Sequence, residues 1–240
     1  MSSNGNTQFW SSLLELDDEL EVTLLQDKEV WKAATTWTNA FVNDPLIRYL
    51  RDNKPLTPRE AKAQKVFMSG LLLGWIRRKI AITINGGASL VVATPAPSST
   101  GPGGPKDKFL DWLLNVTLKF SERISPRERR RRQREVRDKL RPIIDEKIAP
   151  RQNDMIHVTL VCTEPESQGR GYASALLDTI TRLADILGVA CWLESSNIAN
   201  EPFYNSHGFK SVGNAVVGDQ NPDWGEKPVI VQIMIREPIL

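Results

Sequence analysis

Hydrophobic and polar residues change their spacing along the chain, and each change marks an element. The densest signal lies in residues 155–177. Residues 155–162 (MIHVTLVC) are apolar and β-branched, as a buried strand is, and Glu164-Pro165-Glu166-Ser167 interrupts them. Leu176, Leu177, Ile180, Leu183, Ala184 and Leu187 then recur at the spacing of one helix face, which predicts a helix beginning near Gly169-Arg170-Gly171. Upstream, residues 1–12 read as a frayed tail and residues 19–25 as an opening strand. Asp27 is placed to cap a helix whose Val30, Ala34, Trp37 and Phe41 share a face, ended by Asn43-Asp44-Pro45. Thr57-Pro58-Arg59-Glu60 forms a capping box with proline at the first helical position, opening a long helix to about residue 78. Residues 80–84 and 88–93 flank Asn85-Gly86-Gly87, a hairpin signal.

Past the central helix, residues 190–195 predict a short strand parallel to 155–162, joined to it by a right-handed crossover. Residues 201–206 predict a short helix, 209–212 the start of a strand, and 219–227 a polar loop containing Trp224. Residues 229–235 close the sheet, with alternation weak enough to predict burial on both faces; the pattern leaves open an inner or an edge position. Eleven of the thirteen residues in 94–106 are Pro, Gly, Ser or Thr, a linker. Phe109, Trp112, Leu113, Val116 and Phe120 then suggest one amphipathic helix, and Ser125-Pro126-Arg127-Glu128 a second capping box. The expectation is a single α/β domain over 1–240, with a mixed sheet of about six or seven strands, flanking helices, and 94–153 as a helical insertion between the third and fourth strands.

Composition changes this picture little. A chain of 240 residues, 40% hydrophobic and 25% charged, suits one domain with a large core. The net charge of +2 gives no general reason to expect nucleic acid, but it is unevenly spread: ten basic and four acidic residues fall between 122 and 141. Arg129, Arg130, Arg131 and Arg132 point to all sides of a helix, with Glu128, Glu135 and Asp138 near enough to pair. A solvated helix is the favoured reading; a nucleic-acid or acidic-partner surface, and help in attracting an anionic ligand, are the alternatives. Cys162 and Cys191 sit in apolar runs and read as buried free thiols of a reducing compartment. The polar N-terminal residues lack the basic-then-apolar layout of a secretory signal, and the apolar run 66–76 is shorter than the roughly 20 residues a bilayer needs. The expectation is a cytoplasmic protein without membrane contact, the nucleus left open.

Chemistry concentrates at the start of the central helix. Two glycines there leave backbone N–H groups without intrahelical partners at the positive end of the dipole, an anion site suited to a phosphate. Gln168-Gly169-Arg170-Gly171-Tyr172-Ala173 resembles the Gln/Arg-x-x-Gly-x-Gly/Ala signature of the GNAT superfamily of acetyl-CoA-dependent N-acetyltransferases. Asn197 to Phe209 (NIANEPFYNSHGF) resembles its second signature, and Leu193-Glu194-Ser195-Ser196 with Pro202-Phe203-Tyr204 looks most like the branch acting on antibiotics and small amines. The resemblance is strong over 156–213, weak over 21–93 and absent over 94–153.

The resemblance implies acetyl-CoA as co-substrate, lying where two parallel strands splay apart. Val161, Cys162 and Thr163 would bind the pantetheine arm, and Gln168, Gly169, Arg170, Gly171, Tyr172, Ala173 and Ser174 the pyrophosphate. Asn197 and Asn200 would contact the arm, Tyr204 would protonate the departing thiolate, and Trp37, Phe41, Asp44 and Tyr49 would stand on the acceptor side. The residues themselves offer Glu194 as general base: a carboxylate at the end of a buried strand is desolvated, which raises its pKa toward a useful value. It could equally attract the ammonium while water carries the proton. His157 is the alternative base, His207 is expected at the surface, and Cys162 serves packing, since no basic partner would activate a nucleophile there. The expected reaction is direct transfer of acetyl to a primary amine, of a small molecule in preference to a protein or peptide. A coenzyme-binding or nucleic-acid-binding protein without catalysis is the rival. Oligomeric state is left undetermined.

Overall fold

The structure, a computed structural model, describes residues 21–100 and 126–239. The described strands form one seven-stranded sheet in the order β1-β2-β3-β4-β5-β7-β6, with β1 Thr23–Leu24, β2 Ile80–Ile84, β3 Ser89–Thr94, β4 Met155–Thr163, β5 Ala190–Ser195, β6 Lys210–Val217 and β7 Val229–Arg236. Neighbours are antiparallel except β4 and β5, which run parallel. Helices are α1 Val30–Ala40, α2 Pro45–Arg51, α3 Pro58–Ile76, α4 Arg127–Lys147, α5 Tyr172–Leu187 and α6 Glu201–Ser206, with a single helical turn at Pro97–Thr100.

The 3.6-residue stripe of α5 lies against one face of the sheet. Leu176, Leu177, Ile180, Leu183 and Ala184 are fully buried there, over Ile82, Val91, Ile156, Val158 and Leu193. Burying a leucine or isoleucine contributes about 1.5–3 kcal/mol, so this contact is a main source of stability. The other face is covered in two halves. α1 and α3 pack over Ala81, Leu90, Val92, Leu160 and Cys162, and α2 and α4 over Trp192, Ala215, Val217, Val231 and Ile233. β7 is an inner strand between β5 and β6, and its side chains are almost all buried.

Several expectations are corrected. The opening strand is only Thr23–Leu24 within the described residues. Asp27 starts a 3₁₀ turn, Asp27–Glu29, and the backbone N–H at Gln26 donates to Glu29 (2.9 Å). Asp44 does not merely end α1: its carboxylate accepts from Ile47 N (3.0 Å) and caps α2, with Pro45 at the first position. The box at Thr57 and Glu60 forms as expected. Pro126 occupies the cap of α4, and Ser125 and the 109–120 helix lie outside the described residues.

The arginine run is not wholly solvated. Arg132 has no exposed surface; it donates to Tyr49 O (2.6 Å), Asp52 Oδ1 (2.6 Å) and Glu128 Oε1 (3.0 Å), and its guanidinium lies 4.9 Å from the Tyr49 ring. The pattern missed it because Arg132 shares the inward face of α4 with Val136, Leu140 and Ile143, where an arginine survives only with partners for its donors.

Candidate active site

A defect in the sheet creates the cleft. β4 and β5 pair only from Met155↔Ala190 to Val158↔Leu193; β4 then runs on to Thr163, while Glu194 and Ser195 pair with β7. On its other side β4 slips against β3: Val92 faces Leu160 and Ala93 faces Val158, leaving Thr159 as an extra residue. Such a bulge bends and twists a strand. Here it coincides with the point where the parallel pair separates. The resulting cavity is about 460 Å³, lined by residues 158–163, the end of β5, the α1–α2 corner and α6.

One end of the cleft meets α5. Gly171, at φ +79°, is the N-cap, and Gly169 has φ +74°. The first helical hydrogen bond runs from Ala175 N to Gly171 O (3.0 Å), so the amides of Tyr172, Ala173 and Ser174 have no earlier carbonyl to meet. A Cβ at either glycine would meet no protein atom within 4 Å, so the space above this turn is open to a ligand. Gln168 and Ala173 line the cleft, and Gln168 Nε2 reaches Thr163 O (3.4 Å). Arg170 is exposed and its guanidinium approaches Glu166 O (3.4 Å). Tyr172 points away, its hydroxyl accepting from Asn85 Nδ2 (2.9 Å) of the β2–β3 turn. Ser174 Oγ lies 3.3 Å from His207 Nε2, and His207 Nδ1 lies 2.7 Å from Asp178 Oδ1. Only 8% of the His207 side chain is exposed, which corrects the expected surface position. It ties the end of α6 to the first turn of α5.

At the centre, Val161, Cys162 and Thr163 line the β4 side of the gap. The Cys162 side chain turns into the core under α1 and α3, where burial pushes its thiol well up, unlike an activated nucleophile. Tyr204, 8% exposed, has its ring packed edge-on against Phe203 and Phe209. Its hydroxyl has no hydrogen-bond partner among the described residues and belongs to the cleft wall. Desolvation, with smaller contributions from Asp44 and Cys162, pushes this phenol up to about 12. Asn197 and Asn200 line the same wall; the Asn197 carboxamide accepts from Ala199 N (3.0 Å), which fixes the turn before α6.

Glu194 opens onto the cleft from β5 and makes no hydrogen bond or ion pair among the described residues. It is exposed by area, yet protein crowds it on most sides, and desolvation raises its carboxyl above the usual range. Asp44 lines the same cleft. It is 8% exposed, its Oδ2 accepts from Ser196 Oγ (2.6 Å), and burial raises its carboxyl too. His157 stacks face to face on Trp192 (3.9 Å, 9°), outside the cleft lining, and burial with a contribution from Lys79 lowers it to about 4. An imidazole so placed is neutral and too weak to be the base. Of the acceptor-side candidates, Phe41 and Asp44 line the cleft, Trp37 stacks on Trp75 (5.5 Å), and Tyr49 is buried beneath α4. Neither half of the Asp44–Ser196 bridge is legible in the sequence: Asp44 reads there as the end of α1, and nothing about Ser196 announces a partner.

A splayed parallel pair with a helix N-terminus at one end, and a phenol and two carboxylates along its walls, offers an anion-binding end and an acidic wall in one cleft. Comparison with known proteins agrees. Residues 141–211 match the acetyltransferase (GNAT) domain family. It is 24% identical over 217 residues to an uncharacterized N-acetyltransferase of Schizosaccharomyces pombe, covering 89% of this chain and 82% of that one. Among solved structures, arylalkylamine N-acetyltransferase 2 of Aedes aegypti superposes with a TM-score of 0.61 at 14% identity, covering 92% and 99% of the two chains. A histone acetyltransferase HPA2 and related acetyltransferase from Corynebacterium glutamicum gives 0.53 at 17%, covering 91% and 96%. These two likenesses are likenesses of fold. No described helix is long and apolar enough to cross a membrane.

Proposed function

We propose that the chain transfers the acetyl group of acetyl-CoA directly to a primary amine of a small molecule, within a ternary complex, and that 1–240 acts as one domain with 94–153 inserted. The observation that carries this reading is the meeting of three features in one cleft: the open amides of α5, the unpartnered Tyr204 hydroxyl and the unpaired Glu194 carboxylate.

In this reading Gly169, Arg170, Gly171, Tyr172, Ala173 and Ser174 hold the diphosphate through backbone N–H groups, beside Gln168. The edge of β4 at Val161, Cys162 and Thr163 pairs with the amides of the arm, and Asn197 and Asn200 border it. Glu194, kept basic by desolvation, takes the proton of the attacking ammonium. The new C–N bond forms as the C–S bond breaks with its electron pair on sulfur, and Tyr204 gives its proton to that sulfur. A phenol titrating near 12 is fully protonated at neutral pH, ready for this role.

The test is thiol release from acetyl-CoA by the purified protein over small amines, polyamines and peptides, with Y204F and E194Q alongside. Release with small amines, cut about 100-fold or more in each variant, supports the reading. Faster turnover of peptide ends or lysines than of any small amine would replace the acceptor, and coenzyme binding without release would remove the catalysis.

A further inference from the structure

The acceptor half of the cleft carries two carboxylates and, among its described lining, no basic side chain. Glu194 stands on β5 without a partner among the described residues. Asp44 lines the same cleft, held by two neutral donors, Ser196 Oγ and Ile47 N, neither of which cancels its charge. Ser196 is two residues beyond Glu194, so the bridge brings the carboxylates within about one two-residue step, roughly 7 Å, plus the side-chain reach. The Tyr204 hydroxyl, on a side chain more than nine-tenths buried, has no partner among the described residues and belongs to the same cleft. Lys79 Nζ, whose own side chain is not part of the described lining, donates to Thr159 Oγ1 (3.2 Å) and lies over the Trp75 ring (4.6 Å).

A simple monoamine supplies one positive charge, and that charge is lost when its nitrogen is deprotonated to attack. Asp44 would then remain buried and uncompensated, which is costly. An acceptor with a second cationic nitrogen removes that cost, because the far ammonium stays charged through the reaction. We propose that the cleft selects a short aliphatic diamine, which presents one nitrogen to Glu194 for acetylation while Asp44, steadied by Ser196, holds the other as an ammonium. The product is the monoacetylated diamine and the free thiol of CoA. Asp44 is here a specificity-determining residue, and the inference rests on the acetyltransfer reading above.

The test compares 1,4-diaminobutane with 1-aminopentane, which has the same number of heavy atoms and one charge fewer. In the wild-type protein the diamine is expected to show at least a tenfold higher kcat/KM. D44N keeps an asparagine that can cap α2 and accept from Ser196, and removes only the charge; it should bring the ratio to within threefold of unity. Calorimetric titration of 1,4-diaminobutane into the protein saturated with CoA, where no transfer occurs, should show binding that D44N weakens at least tenfold. If D44N does not fold, S196A, which keeps the charge and frees Oδ2, should retain the diamine preference. Equal kcat/KM for the two amines, a preference that survives D44N, or a lysine peptide outpacing the diamine would overturn the proposal. Absence of thiol release with every amine would instead bring down the acetyltransfer reading, and the calorimetric arm would still report on the diamine subsite.

Discussion

The proposed chemistry rests on two side chains whose environments shift them upward. Burial raises the Glu194 carboxyl, so the acid limb of kcat against pH is expected above the ordinary carboxylate range, with the rate falling as pH drops through that raised value and the base takes up its proton. E194Q should remove this limb and lower kcat by about 10²- to 10⁴-fold. Tyr204 acts in the opposite sense. A raised pKa keeps the phenol protonated longer, and with a value near 12 its ionisation should cause no loss of rate up to pH 10. A rate profile that declines from pH 8 to 10 in the wild type and is flat in Y204F would contradict that assignment. His157 illustrates the same physics without a role: stacked on Trp192 and lowered to about 4, it stays neutral at every pH where the enzyme would work.

α5 separates conformation from ligand contact, because a left-handed glycine stands at each end. Gly171 at the N-cap and Gly188 at the C-cap (φ +63°) both face open space, so a side chain at either costs about 1–2 kcal/mol in backbone strain alone. G188A should therefore lower Tm and leave the affinity for acetyl-CoA unchanged, whereas G171V should lower Tm similarly and also weaken coenzyme binding at least tenfold, as calorimetry can measure. Equal affinities in the two variants would mean that the diphosphate does not sit on this turn. Elements of this kind were legible in the sequence. The α5 stripe, the Thr57 box and the β2–β3 turn are local patterns, each decided within a few residues by periodicity or capping. The features that shape the cleft are not local. The Thr159 bulge exists only relative to β3, and the Asp44–Ser196 bridge joins residues 152 apart in the chain. The burial of Arg132 depends on a carbonyl of α2 that no spacing rule connects to it.

Those distant contacts join α4 to the α2 side of the cleft. α4 packs on β6 closely enough that a Cβ on Gly213 would overlap the Ile143 methyl, so the helix is seated against the sheet. From that seat Arg132 reaches the last carbonyls of α2, donating to Tyr49 O and pairing with Asp52 at its C-cap, where a cation also complements the helix dipole. Tyr49 hydrogen-bonds to Glu135 of the same helix, and Asn221 of the β6–β7 loop bonds both Tyr49 and Glu128. The other end of α2 is Asp44 in the cleft. α2 has seven residues, about 10 Å, so its C-terminal anchor sets where its N-terminal carboxylate stands. Replacing Arg132 by methionine should cost about 3 kcal/mol, since Asp52 and Glu128 are partly solvated and retain some hydration, and for a chain of this size that is a Tm loss of roughly 6–12 °C. The same change lets α2 shift while β4 and α5 keep their seats, so KM for the amine should rise about 2- to 30-fold, with acetyl-CoA affinity unaltered. Measured below the lowered Tm, a KM effect on the coenzyme equal to that on the amine would show that α4 supports the whole sheet and not the acceptor wall in particular.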